Sequence, residues 1–181
     1  MGAKAAKSSN VRKLSKHWLW VTFSVTILIV LTVVTIFVYH YQSRVIIDQI
    51  IVHDIARLES IFKQINDECG IVGFEHARNY VDFLTVEKFE GSEVGAMNLK
   101  NKDGWHGPYL KDNPTVQEKL YEIISTTKGY FLVPGTGVVL SNNQVIGKDI
   151  IFDEESDIFA LVKDGVLVYG EQPLAIAIQT S

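Results

Sequence analysis

The residues with chemistry to offer are few, and most crowd into one place. Asp153-Glu154-Glu155-Ser156-Asp157, preceded by Asp149, packs carboxylates and a hydroxyl into a short run. Oxygen ligands gathered within a few residues of a loop are what Ca²⁺ takes. The run lacks the D-x-D-x-D-G spacing of an EF-hand, and an acidic, solvated connection between strands accounts for the same residues. Five histidines, His17, His40, His53, His76 and His106, show no H-x-x-x-H spacing for a metal. Cys69 is the only cysteine, so no internal disulfide can form. There is no G-x-S-x-G, no phosphate-binding loop and no Cys–His pair in a supporting motif. The expectation is a non-enzymatic protein.

The elements that position these residues begin with Trp18 to Tyr39, 22 residues without Asp, Glu, Lys or Arg. At about 1.5 Å per residue such a helix covers the roughly 30 Å hydrocarbon core of a bilayer. Lys4, Lys7, Arg12, Lys13 and Lys16 precede it, with no acidic residue among the first 17 positions. The positive-inside rule then places the N-terminus in the cytoplasm. Trp18 and Trp20 mark one interface, Tyr39 and Tyr41 the other. A cleaved signal peptide is the alternative, but the run is long for one and YHYQSR is not a small-residue cleavage site. The expected organisation is a basic cytoplasmic tail (1–17), a transmembrane helix (18–41) and an external domain (42–181). Outside the tail, 12 basic residues face 21 acidic ones, a formal charge of −9. That argues against nucleic acid as a partner.

From Ser43 to about Asn66 apolar residues recur at spacings of three and four: Ile47, Ile51, Ile55, Leu58, Phe62 and Ile65. Asp48 is read onto another face. Cys69-Gly70 ends this amphipathic helix. Short helices are expected over Phe74–Leu84 and Val116–Thr126, and a loop over Phe89–Gly107. Strands are expected at Tyr130–Val133, Val138–Leu140, Val145–Phe152, Ile158–Lys163 and Val166–Tyr169, with Asp164-Gly165 as a hairpin turn. The fold class is α+β: a long N-terminal transmembrane and amphipathic helix packed on a C-terminal antiparallel β-meander. Homo- or hetero-oligomers would form through the long helix.

One further run stands out, Asp103-Gly104-Trp105-His106-Gly107-Pro108-Tyr109-Leu110. This D-x-W-x-x-P-Y box resembles that of the type II secretion major pseudopilins, a type IV pilin-like family. HDIARLESIFKQIN is similar to that family's helix sequence, and the likeness runs from about Trp18 to Asp164. The resemblance implies a pilin-like domain and a structural box made by Asp103, Gly104, Trp105, Gly107, Pro108 and Tyr109. It also implies Ca²⁺ held late in the sheet, with Asp153, Ser156 and Asp157 as ligands. Two features of the family are missing: no Gly stands before the span as a cleavage site, and the span holds no Glu. The implied role is a pilin-like body on the periplasmic side of a bacterial inner membrane, in a secretion or assembly machine, its fibre function lost or altered.

Overall fold

The computed structural model describes the backbone of residues 6–181 and the side chains of 18–39, 42 and 45–181. The basic side chains of the tail, Tyr41 and Arg44 lie outside the described residues. The chain divides into two units, Met1–Ser43 and Arg44–Ser181. Helix α1 is assigned from Ala6 to Cys69.

In the first unit, Trp18–Tyr39 has a mean hydropathy of 2.7, and none of it is buried within the chain. Its length and composition suit a membrane span and a signal sequence alike. Its hydroxyls are satisfied inside the helix. Ser24 donates to the Trp20 carbonyl at 2.9 Å, Thr32 to Leu28 and Thr35 to Leu31 at 2.8 Å. Polar groups closed on their own backbone suit an apolar solvent.

The second unit is α+β with antiparallel sheets. Its part of α1 buries Ile51, Ile55, Leu58, Phe62, Ile65 and Cys69, the apolar stripe expected from the spacing. Asp48 belongs to that stripe too and is only 2% exposed, contrary to the sequence reading. After Gly70, which turns with φ 67°, come β1 (Ile71–Phe74), β2 (Arg78–Tyr80), β3 (Glu93–Val94) and β4 (Met97–Leu99). Then follow β5 (Thr115–Val116), β6 (Lys119–Leu120), β7 (Glu122–Thr126) and β8 (Gly129–Val133). Helix α2 (Ile158–Lys163), β9 (Val168–Tyr169), β10 (Gln172–Pro173) and β11 (Ile176–Ile178) complete the chain. The main sheet runs β11-β8-β7-β2, and β1-β4-β3 form a second. Only β7 and β8 are consecutive in the main sheet, so it is not the simple C-terminal meander expected. Leu132, Ile123 and Ile124 of this sheet share one buried core with the stripe of α1.

The expected strands Val138–Leu140 and Val145–Phe152 make only isolated bridges, the expected loop Phe89–Gly107 holds β3 and β4, and three more expected elements change type. Around Phe74–Leu84, Asn79 is buried and folds its amide onto His76, accepting from the His76 N–H at 3.0 Å and donating to its carbonyl at 2.6 Å. Such local side-chain bonding competes with a helix. At Val116–Thr126, Gln117 and Glu118 take φ of 50° and 62°, turning β5 into β6. The Gln117 amide supports this left-handed turn, donating to the Val139 carbonyl at 2.9 Å and accepting from its N–H at 3.1 Å. Ile158–Lys163 is helical rather than extended. Asp157 caps its start, and Gly165 (φ 79°) ends it as the C-terminal glycine rather than as a hairpin turn.

Candidate functional site

The box closes over the last turn of α1. Asn101 donates its N–H to the Cys69 carbonyl at 2.8 Å, and Lys100 donates to Gly70 at 2.8 Å. A 3₁₀ turn, Lys102–Gly104, follows, with Asn101 capping it by accepting from the Asp103 N–H at 3.2 Å. Gly104 lies against the helix end so closely that a Cβ there would sit 2.2 Å from the Glu68 carbonyl oxygen. Carbonyls at a helix C-terminus have no partner inside the helix. The segment leading into the box supplies one through Asn101, and the box's own Gly104 lets the backbone come that near.

The aromatic rings then lock the turn. Trp105 Nε1 donates to the Val86 carbonyl at 3.1 Å. Its ring meets Phe89 edge-on at 5.5 Å and Tyr109 at 4.8 Å. Tyr109 Oη accepts from the His106 N–H at 3.2 Å and donates to Glu68 Oε2 at 3.4 Å. The Tyr109 and Leu110 N–H groups both donate to the Leu84 carbonyl, at 2.9 and 3.1 Å. Gly107, joined to Pro108 by a cis bond, fits under the indole: a Cβ there would meet Trp105 Nε1 at 2.4 Å. Burial pushes the Tyr109 hydroxyl above its ordinary pKa. Burial, with Glu68 beside it, does the same to the Cys69 thiol.

The acidic loop is arranged differently. Asp153 Oδ1 accepts from Ser156 Oγ at 2.7 Å and from the Glu155 N–H at 3.1 Å, while Ser156 Oγ accepts from the Asp153 N–H at 2.9 Å. Asp157 faces elsewhere. One carboxylate oxygen takes the Ala160 N–H at 3.1 Å as the cap of α2, and the other takes the Lys128 ammonium. The Lys128 bond, then the cap bond, hold the Asp157 carboxyl below the usual carboxylate range. Asp153 and Ser156 are thus brought together, and Asp157 is tied to β-hairpin residue Lys128 instead. This donor set does not fit a Ca²⁺ ion as arranged: a lysine stands at Asp157, and the oxygens of Asp153 and Ser156 are engaged with one another. Among the described residues no group of three or more His, Cys, Asp or Glu is gathered as a metal would need.

Sequence reasoning missed the polar side chains that fasten the domain. Buried Asp48 accepts from the Ser141 N–H at 3.1 Å and from its hydroxyl. Asp54 accepts from the fully buried Tyr121 hydroxyl at 3.0 Å, and burial together with this carboxylate raises the Tyr121 pKa. Glu122, 2% exposed, pairs with Arg78 and accepts from the Thr136 N–H at 2.9 Å. Arg78 also donates to the Phe152 carbonyl at 3.1 Å. The signal for Asp48 was present: it precedes Ile51 by three residues, on the stripe itself. Nothing local marks Glu122.

Beside these fastenings lies a cavity of about 270 Å³, lined by Asp54, Arg57, Leu110, Lys111, Asp112 and Asn113 among others. No protein-family model, curated protein or solved structure matches this chain.

Proposed function

We propose that this chain is a non-enzymatic, single-pass protein of a bacterial inner membrane. Residues 1–17 lie in the cytoplasm, and the Arg44–Ser181 unit outside it is a pseudopilin-like body. It serves as a structural or accessory subunit of an envelope secretion or assembly machine. The observation that carries this reading is the seating of Asp103–Leu110 on the last turn of α1. The box residues act there as a structural device, as the resemblance implies: Trp105 and Tyr109 clamp a Gly-Pro turn onto the helix end. The apolar run Trp18–Tyr39 supports the anchor. Because that run holds no carboxylate, our reading keeps the subunit in the membrane rather than in an extracted fibre.

Chemical cross-linking of the full chain in its native membrane, followed by purification in mild detergent, tests the assignment. Homo- or hetero-oligomers joined through exposed positions of α1 such as Arg57 are expected. A monomer throughout would overturn it. The cavity beside Arg57 and Lys111 favours a second reading, a stand-alone anchored ligand-binding domain. Co-purification of a small molecule with that monomer would establish it.

A further inference from the structure

The cavity beside Asp54 and Arg57 is braced by the core itself. Tyr121, fully buried, holds both of its walls. The Tyr121 hydroxyl donates to Asp54 Oδ2 on α1 at 3.0 Å, and the Tyr121 N–H donates to the Pro114 carbonyl on the facing segment at 3.4 Å. That segment is fastened twice more. The Leu110 N–H donates to the Leu84 carbonyl at 3.1 Å, and Thr85 Oγ1 donates to Asn113 Oδ1 at 3.3 Å. Buried Leu58 and Leu110 give the cavity an apolar lining. Its volume of about 270 Å³ lies just under the roughly 300–1,000 Å³ of sites for drug-sized ligands, so it suits a smaller molecule.

Each wall brings one charge of each sign. Asp54 and Arg57 come from α1, Lys111 and Asp112 from the facing segment. Side chains three apart on a helix are neighbours, and opposite charges at that spacing commonly pair. Asp54 and Arg57 do not, because Asp54 is held by Tyr121 instead. None of the four charges is in an ion pair among the described residues. A simple anion placed among them would meet Asp54 and Asp112 as well as the cations, and a simple cation would meet Arg57 and Lys111. A molecule that carries both charges a few ångströms apart answers all four.

We propose that this cavity binds a free apolar α-amino acid. Its carboxylate lies between Arg57 and Lys111, its ammonium against Asp54 and Asp112, and its side chain on Leu58 and Leu110. The inference rests on the ligand-binding reading of this cavity and is independent of the assembly reading.

The test titrates the full chain in detergent with L-leucine, N-acetyl-L-leucine and L-leucinamide, and follows backbone chemical shifts of residues 54–58 and 110–115. Leucine binds, and each blocked analogue binds about tenfold more weakly, having lost one charge-assisted contact. Arg57→Gln with Lys111→Gln, both at exposed positions, erases the gap between leucine and leucinamide and keeps the gap to N-acetyl-leucine. Asp54→Asn with Asp112→Asn leaves an acceptor for Tyr121 and does the reverse. A blocked analogue that binds as tightly as leucine, or a gap unmoved by its own pair of substitutions, overturns the amino-acid proposal while leaving a ligand site in place. Shifts unmoved by all three compounds overturn the proposal as well, and co-purification of another small molecule then decides the ligand-binding reading separately.

Discussion

Asp103–Leu110 and Asp153–Asp157 are both short connections rich in residues that suggest a site, yet they do opposite things with their side chains. The first spends them on a distant part of the chain. Gly104, Trp105 and Tyr109 reach the end of α1 and the 84–89 segment, more than 15 residues away in sequence. The second spends them mostly nearby: Asp153 and Ser156 close a turn on themselves, and Asp157 starts the helix that follows it, with a single distant tie to Lys128. The difference is one of information. Glycines that permit close approach and aromatics that fill a defined space specify a geometry. A run of carboxylates specifies only charge, which a lysine or a helix N-terminus meets as well as a metal does.

The contrast can be broken most forcefully at Trp105. Trp105→Ala removes the indole between Phe89 and Tyr109 and its bond to Val86, and a loss of about 3 kcal/mol is expected in denaturant unfolding of the full chain. A variant as stable as the wild type would mean that the box is only a surface turn. Gly104→Ala drives a methyl group into the Glu68 carbonyl, and overpacking of this kind costs about 1–3 kcal/mol. The loss should concentrate as faster amide exchange at the C-terminal turn of α1, which separates it from a general destabilisation. Tyr109→Phe deletes only the hydroxyl bridging His106 and Glu68, with about 1 kcal/mol expected from thermal melts.

In the acidic loop the effects shrink and become local. Asp157→Ala should fray α2, while Asp157→Asn keeps the cap acceptor and loses only the attraction to Lys128. Chemical shifts of residues 158–163 report the difference. Because the folded carboxyl is held below its ordinary value, its contribution is full above the unfolded Asp pKa of about 3.9. It is lost as pH falls through the lower folded value. A capping carboxylate therefore leaves α2 intact at pH 5 and loosens it only in stronger acid. The smallest effect is expected from Ca²⁺: millimolar addition should leave the melting temperature unmoved, since ligand binding to the folded state would raise it. A rise abolished by Asp153→Ala would put a cation in the loop after all, displacing Lys128.

Much of α1 was readable because periodicity carries it. Ile51, Ile55, Leu58, Phe62 and Ile65 are buried where their spacing puts them, and Gly70 ends the helix. The box was readable as a turn, and its anchor on the helix end is a tertiary fact that needed coordinates. The central and late segments misled for specific reasons. Val116–Thr126 has helical spacing, but Gln117 takes a left-handed turn stabilised by Val139, which is 22 residues away. Ile158–Lys163 is rich in strand formers, yet caps at both ends made it helical. Asp48 stood on the apolar stripe and could have been read as buried, whereas Glu122 was invisible as a buried carboxylate because its partners, Arg78 and Thr136, come from other elements.

The claim that joins these observations is that a pilin-like body is carried on a fixed anchor. Its most direct test is the intact mass of the protein purified from its native membrane. The account predicts a mass that retains residues 1–17, with the basic tail still attached to the Trp18–Tyr39 span. A mass corresponding to a new N-terminus near Trp18 would contradict it and would make the chain a processed subunit, free to leave the membrane.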